Sequence, residues 1–240
     1  MKDVKEVIRW IKQSFDQNGP LSKAIIGISG GKDSTVAAAL CVEALGRDRV
    51  IGILMPEGEQ EDIEDAYRVC DYLDIKYYEI NIDAACSGIY RGLASEGLHV
   101  GMPAVYTNVP ARVRMTTLYA VAASVGGRVC NTSNLSEIFV GYSTKWGDGV
   151  GDFGPLRAFT MEEVIDLGRQ LALPEDLLVK PPADGMSGKT DEDNLGFKYS
   201  DVSNVIWGNT ELVDKKVLDT IISRYINAKH KDIKIPCCPR

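Results

Sequence analysis

The residues best suited by type to do chemistry are Ser29-Gly30-Gly31-Lys32-Asp33-Ser34. Glycines, hydroxyls, a cation and a carboxylate stand together at the join of two apolar runs, Lys23–Ile28 and Ser34–Leu45. That is the composition of a phosphate cradle. Such a cradle needs a strand to fix its start, glycines that let backbone N–H groups approach, and a helix N-terminus aimed at the charge. The bland alternative is a Gly-Gly turn before a helix capped by Asp or Ser. The loop is not a Walker A loop. From Gly27 only three residues precede Gly31-Lys32, and Asp33 follows where Ser or Thr is required. A second stretch, Ala183–Thr190 (ADGMSGKT), meets a permissive form of that pattern. Its context fails: Pro181-Pro182 precede it, excluding a central strand, and the acidic run after it starts no apolar helix.

The elements that must position the loop can be read from periodicity. Lys23–Ile28, Arg49–Met55, Lys76–Ile82 and Gly127–Asn131 are short β-rich runs. Val4, Val7, Ile8, Ile11 and Phe15 recur at helical spacing, and helices are expected over 33–45, 62–73, 108–125, 160–171 and 211–228. Pro110 is placed in the first turn of the helix over 108–125. Strands alternating with helices predict an α/β, doubly wound, mostly parallel sheet with helices on both faces, in one domain over 1–240. The stretch 180–196, polar and rich in Gly, Pro and Asp, is expected to be a mobile lid.

The 240 residues suffice for one well-buried domain. Hydrophobic content of 45% and charged content of 25% are ordinary for a soluble globular chain. A net charge of −7 disfavours a nucleic-acid partner. Six cysteines form no C-x-x-C pair, and Cys41, Cys70 and Cys130 lie in apolar runs that suit buried thiols. The N-terminus has the spacing of an amphipathic helix rather than a secretory signal, no run is long enough for a membrane span, and a cytoplasmic enzyme is expected.

SGGKDS resembles the S-G-G-x-D-S loop of the ATP pyrophosphatases, the PP-loop family, which cleave ATP between the α- and β-phosphates and adenylate an oxygen. On that reading the backbone N–H groups, Ser29 and Ser34 hold pyrophosphate and Asp33 ligates Mg²⁺. Three further segments narrow the resemblance: Asn108–Met115 (NVPARVRM), Asn131–Phe153 (NTSNLSEIFVGYSTKWGDGVGDF) and Lys180–Phe197 (KPPADGMSGKTDEDNLGF). With the loop they are similar to the NAD synthetases, which amidate deamido-NAD (nicotinic acid adenine dinucleotide).

The resemblance implies ATP contacts at Ile28, Ser29, Gly30, Gly31, Lys32, Asp33, Ser34, Thr35 and Thr132. It implies Mg²⁺ at Asp33 and Glu137. Deamido-NAD contacts are implied at Arg112, Tyr142, Lys145, Asp152, Lys180, His230 and Lys231, with Tyr142 stacking on the nicotinate ring. Asp148 is expected near the ammonia, accepting a proton from ammonium. Too little chain precedes Lys23 for a glutaminase, so free ammonia is the expected donor. A homodimer is implied. Two positions depart from the pattern. Met161 stands where a phosphate-facing Lys is expected, and Pro182 where Ser or Thr is. Lys32 is a candidate substitute for the missing charge. The rival readings are another amide-forming ligase of this superfamily and a non-catalytic adenine-nucleotide sensor on the same fold.

Overall fold

A computed structural model describes residues 3–60, 62–179 and 190–231. Lys180, Pro182 and the stretch up to residue 189 lie outside the described residues, as do Cys237 and Cys238.

Four parallel strands form one sheet in the order β3-β2-β1-β4: β1 (Lys23–Gly27), β2 (Val50–Leu54), β3 (Lys76–Glu79) and β4 (Gly127–Val129). Alternation along the strands divides the core in two. Ala24, Ile26, Val50 and Leu54 point to the face covered by α1 (Val4–Asn18), α2 (Lys32–Leu45), α3 (Ile63–Leu73), α7 (Met161–Gln170) and α8 (Glu175–Leu178). Ile25, Ile51, Ile53 and Val129 point to the other face, where α5 (Pro103–Val125) supplies Met115, Leu118 and Ala122. α4 (Asp83–Ser95) lies beside α5. A third cluster joins α6 (Leu135–Val140), α9 (Asp191–Leu195), α10 (Tyr199–Trp207) and α11 (Lys215–Ala228) around Val140, Leu195, Tyr199 and Ile221. The doubly wound parallel architecture is the one the alternation predicted, and Cys41, Cys70 and Cys130 are buried.

The differences are local. α5 starts at Pro103, five residues before the expected start, so Pro103 takes the first-turn role and Pro110 is inside the helix. The fixed φ and missing N–H of proline suit the first position; at Pro110 the carbonyl of Tyr106 forgoes its helical donor. Residues 190–196 are not an open loop. Thr190 caps α9, and Leu195 is buried in the third cluster. β3 is shorter than expected, yet Ile80 N and Ile82 N still donate to Leu54 O and Pro56 O at 2.8 Å, so the edge runs on past the strand.

Candidate active site

The β1–α2 loop stands at the C-terminal edge of the sheet, beside the middle of the strand order. Ile28 is buried and its N–H donates to Ile53 O at 3.0 Å, so its side chain anchors the loop from below. Gly30 has φ +78°, and a Cβ there would lie 2.6 Å from Asp65 Cβ and 3.0 Å from Ala66 N. Both the dihedral and the close approach of α3 require glycine. Hydroxyls then close the loop on itself. Ser29 Oγ accepts from Gly31 N at 3.3 Å, and Ser34 Oγ accepts from Ser29 N at 3.3 Å while donating to Gly31 O at 3.0 Å. Thr35 is fully buried and donates to Gly31 O at 2.9 Å, which makes it a fastener of the loop. Gly31 caps α2 with no side-chain bond. The first-turn amides of α2, with the positive end of its dipole, are thereby left for an anion.

One side chain that the sequence reading missed organises the acidic part of the site. Asn134, 1% exposed, donates from Nδ2 to Asp33 Oδ1 at 3.0 Å. Its Oδ1 accepts from Glu137 N at 3.0 Å, while Glu137 Oε2 accepts from Asn134 N at 2.9 Å. This reciprocal capping box starts α6 and couples it to α2. Lys32 Nζ lies 2.8 Å from the other oxygen of Asp33 and is 6% exposed. Burial and the nearby Asp33 carboxylate push Glu137 well above the usual carboxylate range, against the pull of Lys32 and the Asn134 N–H. For Lys32 the desolvation that would lower its pKa is outweighed by Asp33, Glu137 and Asp191, so the ammonium is held. Tyr199 is buried to 1% with no hydrogen-bond partner for its hydroxyl among the described residues, and burial together with Glu137 and Asp191 raises its pKa.

These groups suit a Mg²⁺–pyrophosphate ligand. Two carboxylates offer hard oxygens, first-turn amides face an anion, and an orphaned buried hydroxyl stands beside them. No third His, Cys, Asp or Glu completes a metal cage among the described residues, which fits an ion that draws its remaining ligands from phosphate and water.

A family model described as NAD synthase matches residues 3–235. The NH3-dependent NAD+ synthetase of Pyrococcus furiosus is 37% identical over 97% of this chain and 86% of its own length. The chain belongs to the NAD synthase family. Among solved structures, NMN synthetase from Francisella tularensis superposes with a TM-score of 0.89 at 31% identity, covering 98% of this chain and 96% of its own. The NH3-dependent NAD synthetase of Campylobacter jejuni, solved with nitrate, gives 0.77 at 26% identity with both chains fully covered. The protein is accordingly a ligase of the NAD synthase family that forms an amide at the expense of ATP.

The residues implied for the family's acid substrate lie largely on one loop, 141–152, and on the turn after α11. Gly141 ends α6 at φ +65°, where a Cβ would meet Ala228 Cβ at 2.5 Å, so the loop starts pressed against α11. Lys231 Nζ donates to Gly141 O at 2.5 Å and Ser143 O at 2.6 Å. Lys145 Nζ donates to His230 O, and His230 Nδ1 lies 2.6 Å from Asn227 O. Arg112, exposed on α5, donates from Nε to Lys145 O at 3.2 Å. A recess beside them is lined by Ser143, Lys145, Trp146, Arg157 and Lys231. Arg112, Lys145, His230 and Lys231 are thus brought together, with several of their polar atoms bonded to backbone. Tyr142 is half-buried in the third cluster.

Asp148 accepts from Thr144 N at 2.7 Å. The protein packed around its carboxyl raises its pKa above the ordinary value, opposed by that N–H and by Lys231. Asp152 lies apart from this group. Its Oδ2 accepts from Val129 N at 2.8 Å and its Oδ1 from Tyr119 Oη at 3.1 Å, so it ties the loop to the free edge of β4. Thr132 is half-buried just after that strand. Met161, at the start of α7, packs its side chain into the third cluster, and its N–H donates to Ser136 Oγ at 3.2 Å. The Lys32 ammonium, largely buried, pairs with Asp33.

Proposed function

We infer that the protein converts deamido-NAD to NAD with ATP and free ammonia, through an acyl-adenylate. The observation that carries this reading is the bond from Asn134 to Asp33 in the SGGKDS loop, with Glu137 held on the same Asn134, which brings two carboxyl groups to the N-terminal end of α2. The nicotinate carboxylate attacks the α-phosphorus of ATP, the bond to the β-phosphate oxygen breaks, and pyrophosphate leaves. Mg²⁺ held by Asp33 and Glu137 would neutralise the departing charge. The α2 amides with Ser29 and Ser34 hold the pyrophosphate in line, and such positioning is the main source of rate in phosphoryl-type transfer. Ammonia then attacks the acyl carbon and AMP departs. Asp148 takes the proton that ammonium must lose, and its raised pKa makes it a better acceptor.

Arg112, Tyr142, Lys145, His230, Lys231, Asp152 and Lys180 are proposed contacts of the dinucleotide. Ile89, Leu98, Met102 and Tyr106 leave an exposed apolar face on α4, α5 and the segment between them, which supports a homodimer through that face. The four cysteines among the described residues are buried and free, which suits a reducing compartment, the cytoplasm.

One observation favours a second acid. The Francisella tularensis protein, which matches this chain nearly end to end, bears the name NMN synthetase. On that reading nicotinate mononucleotide is amidated in place of the dinucleotide. The experiment offers both acids separately with ATP, Mg²⁺ and ammonium and compares kcat/KM. Higher kcat/KM for deamido-NAD, with AMP formed, supports the first reading. Higher kcat/KM for the mononucleotide supports the second, and AMP with neither amide points to a different carboxylate.

A further inference from the structure

Lys32 is the first residue of α2, between Gly31 and Asp33. A lysine at a helix start has four methylenes with which to reach solvent. This one turns inward instead, 6% exposed, with its ammonium 2.8 Å from Asp33 Oδ2. The Asp33 carboxylate pairs with it directly, and carboxyl groups on two further elements, Glu137 on α6 and Asp191 on α9, favour its charged form. A buried ammonium persists only where such charges repay its desolvation. Asp33 Oδ1 is already taken by Asn134 Nδ2 at 3.0 Å. Both oxygens of Asp33 therefore face a donor before any ligand arrives, and the stronger donor is a full positive charge. A divalent cation brought to the same carboxylate is repelled by that charge at short range.

We propose that Lys32 is a resident counter-cation of the Asp33–Glu137 pair. It keeps the two carboxylates compatible in the nucleotide-free protein and makes divalent-ion binding conditional on ATP. The triphosphate supplies new acceptors for the ammonium, which then releases Asp33 Oδ2 to the metal. Metal and nucleotide thus bind cooperatively, and by linkage each strengthens the other by the same factor. The inference rests on the reading of Asp33 and Glu137 as the magnesium ligands.

The test titrates the full chain with Mn²⁺, following free Mn²⁺ by electron paramagnetic resonance, with and without an ATP analogue carrying a methylene between the α- and β-phosphorus. Nucleotide-free wild type should bind Mn²⁺ weakly, and Lys32→Gln should bind it about tenfold more tightly, a factor usual for coupled sites. Lys32→Arg, which keeps the charge, should resemble wild type. The thermal midpoint of Lys32→Gln should also rise more with Mn²⁺ than that of wild type. Equal Mn²⁺ affinity in wild type and Lys32→Gln, or weaker binding in the variant, overturns the proposal. Should Lys32→Gln not fold, the wild type decides alone, since Mn²⁺ affinity that is the same with and without the analogue also overturns it. Asp33→Asn separates the two layers of the reading. If it leaves Mn²⁺ binding to the analogue complex intact, the ligand assignment itself is wrong. If it abolishes that binding while Lys32→Gln behaves as wild type, only the counter-cation role fails.

Discussion

Asn134→Ala removes one buried side chain and breaks two connections at once. The cap on α6 is lost, which typically costs about 1 kcal/mol. The donor to Asp33 Oδ1 is lost too, and a hydrogen bond to a charged group contributes about 1.5–3 kcal/mol. Because Asn134 is 1% exposed, water does not readily replace either bond. Together these give a loss of about 3 kcal/mol, which for a chain of this length lowers Tm by about 6–12 °C. Thermal denaturation followed by circular dichroism measures the shift, and kcat/KM for ATP measures the damage to the Asp33–Glu137 geometry. Asn134→Ser divides the effect. It restores a capping oxygen, recovering about 1 kcal/mol, but carries no amide donor for Asp33. Its kcat/KM should therefore stay as low as that of the alanine variant. A loss below about 1 kcal/mol in Asn134→Ala, with kcat/KM for ATP unchanged, would refute the claim that this residue couples the two helices.

Gly30→Ala forces a side chain into φ +78° and against Asp65, and should cost about 1–2 kcal/mol from the backbone alone, read as a lower denaturant midpoint and a higher KM for ATP. A variant as stable as wild type contradicts the closeness of α3. Tyr199→Phe removes a hydroxyl that has no partner among the described residues, so Tm should hold or rise while ATP turnover falls; a clear drop in Tm shows that the hydroxyl is bonded in the free protein. Asp148 has a pKa raised above the ordinary 3.8, so folding shifts its balance toward the protonated form relative to the unfolded chain. Its contribution to stability is complete below that value and fades as pH rises through the raised one. Wild-type stability relative to Asp148→Asn, from urea unfolding at a series of pH values, should decline across that window; an advantage that grows with pH is the opposite sign. The proton-accepting form appears over the same window, so wild-type activity should climb there.

The sheet was legible because its signal is local. The central strands β1 and β2 are short, buried, Ile- and Val-rich runs, and the glycine loop lies at a strand–helix join. The loop's glycines could be read as conformational requirements, and Gly30 is one. α4 was missed since Gly88 and Gly92 dilute its helical pattern. Asn134 carried a signal, the Asn-x-x-Glu spacing of a capping box, but the residues were read as part of a family block. Thr190 gave the corresponding signal for α9 with Asp193 at the third position, inside a stretch whose glycines and prolines suggested a lid. Lys32 could not have been placed from sequence. Its inward turn depends on Asp33, Glu137 and Asp191 meeting from three distant segments, and no periodicity records that meeting. Asp152 belongs with Lys32, since only the fold shows its carboxylate bonded to Val129 N and Tyr119 Oη.

On the proposed reaction, the α-phosphorus of ATP is the electrophile for a carboxylate. Deamido-NAD labelled with ¹⁸O in both carboxylate oxygens, turned over with ATP and ammonium, tests it by mass spectrometry of the nucleotide products. One ¹⁸O is expected in the phosphate of AMP for each NAD formed, with unlabelled pyrophosphate. Label in inorganic phosphate with ADP as the co-product, or AMP free of label, would contradict it.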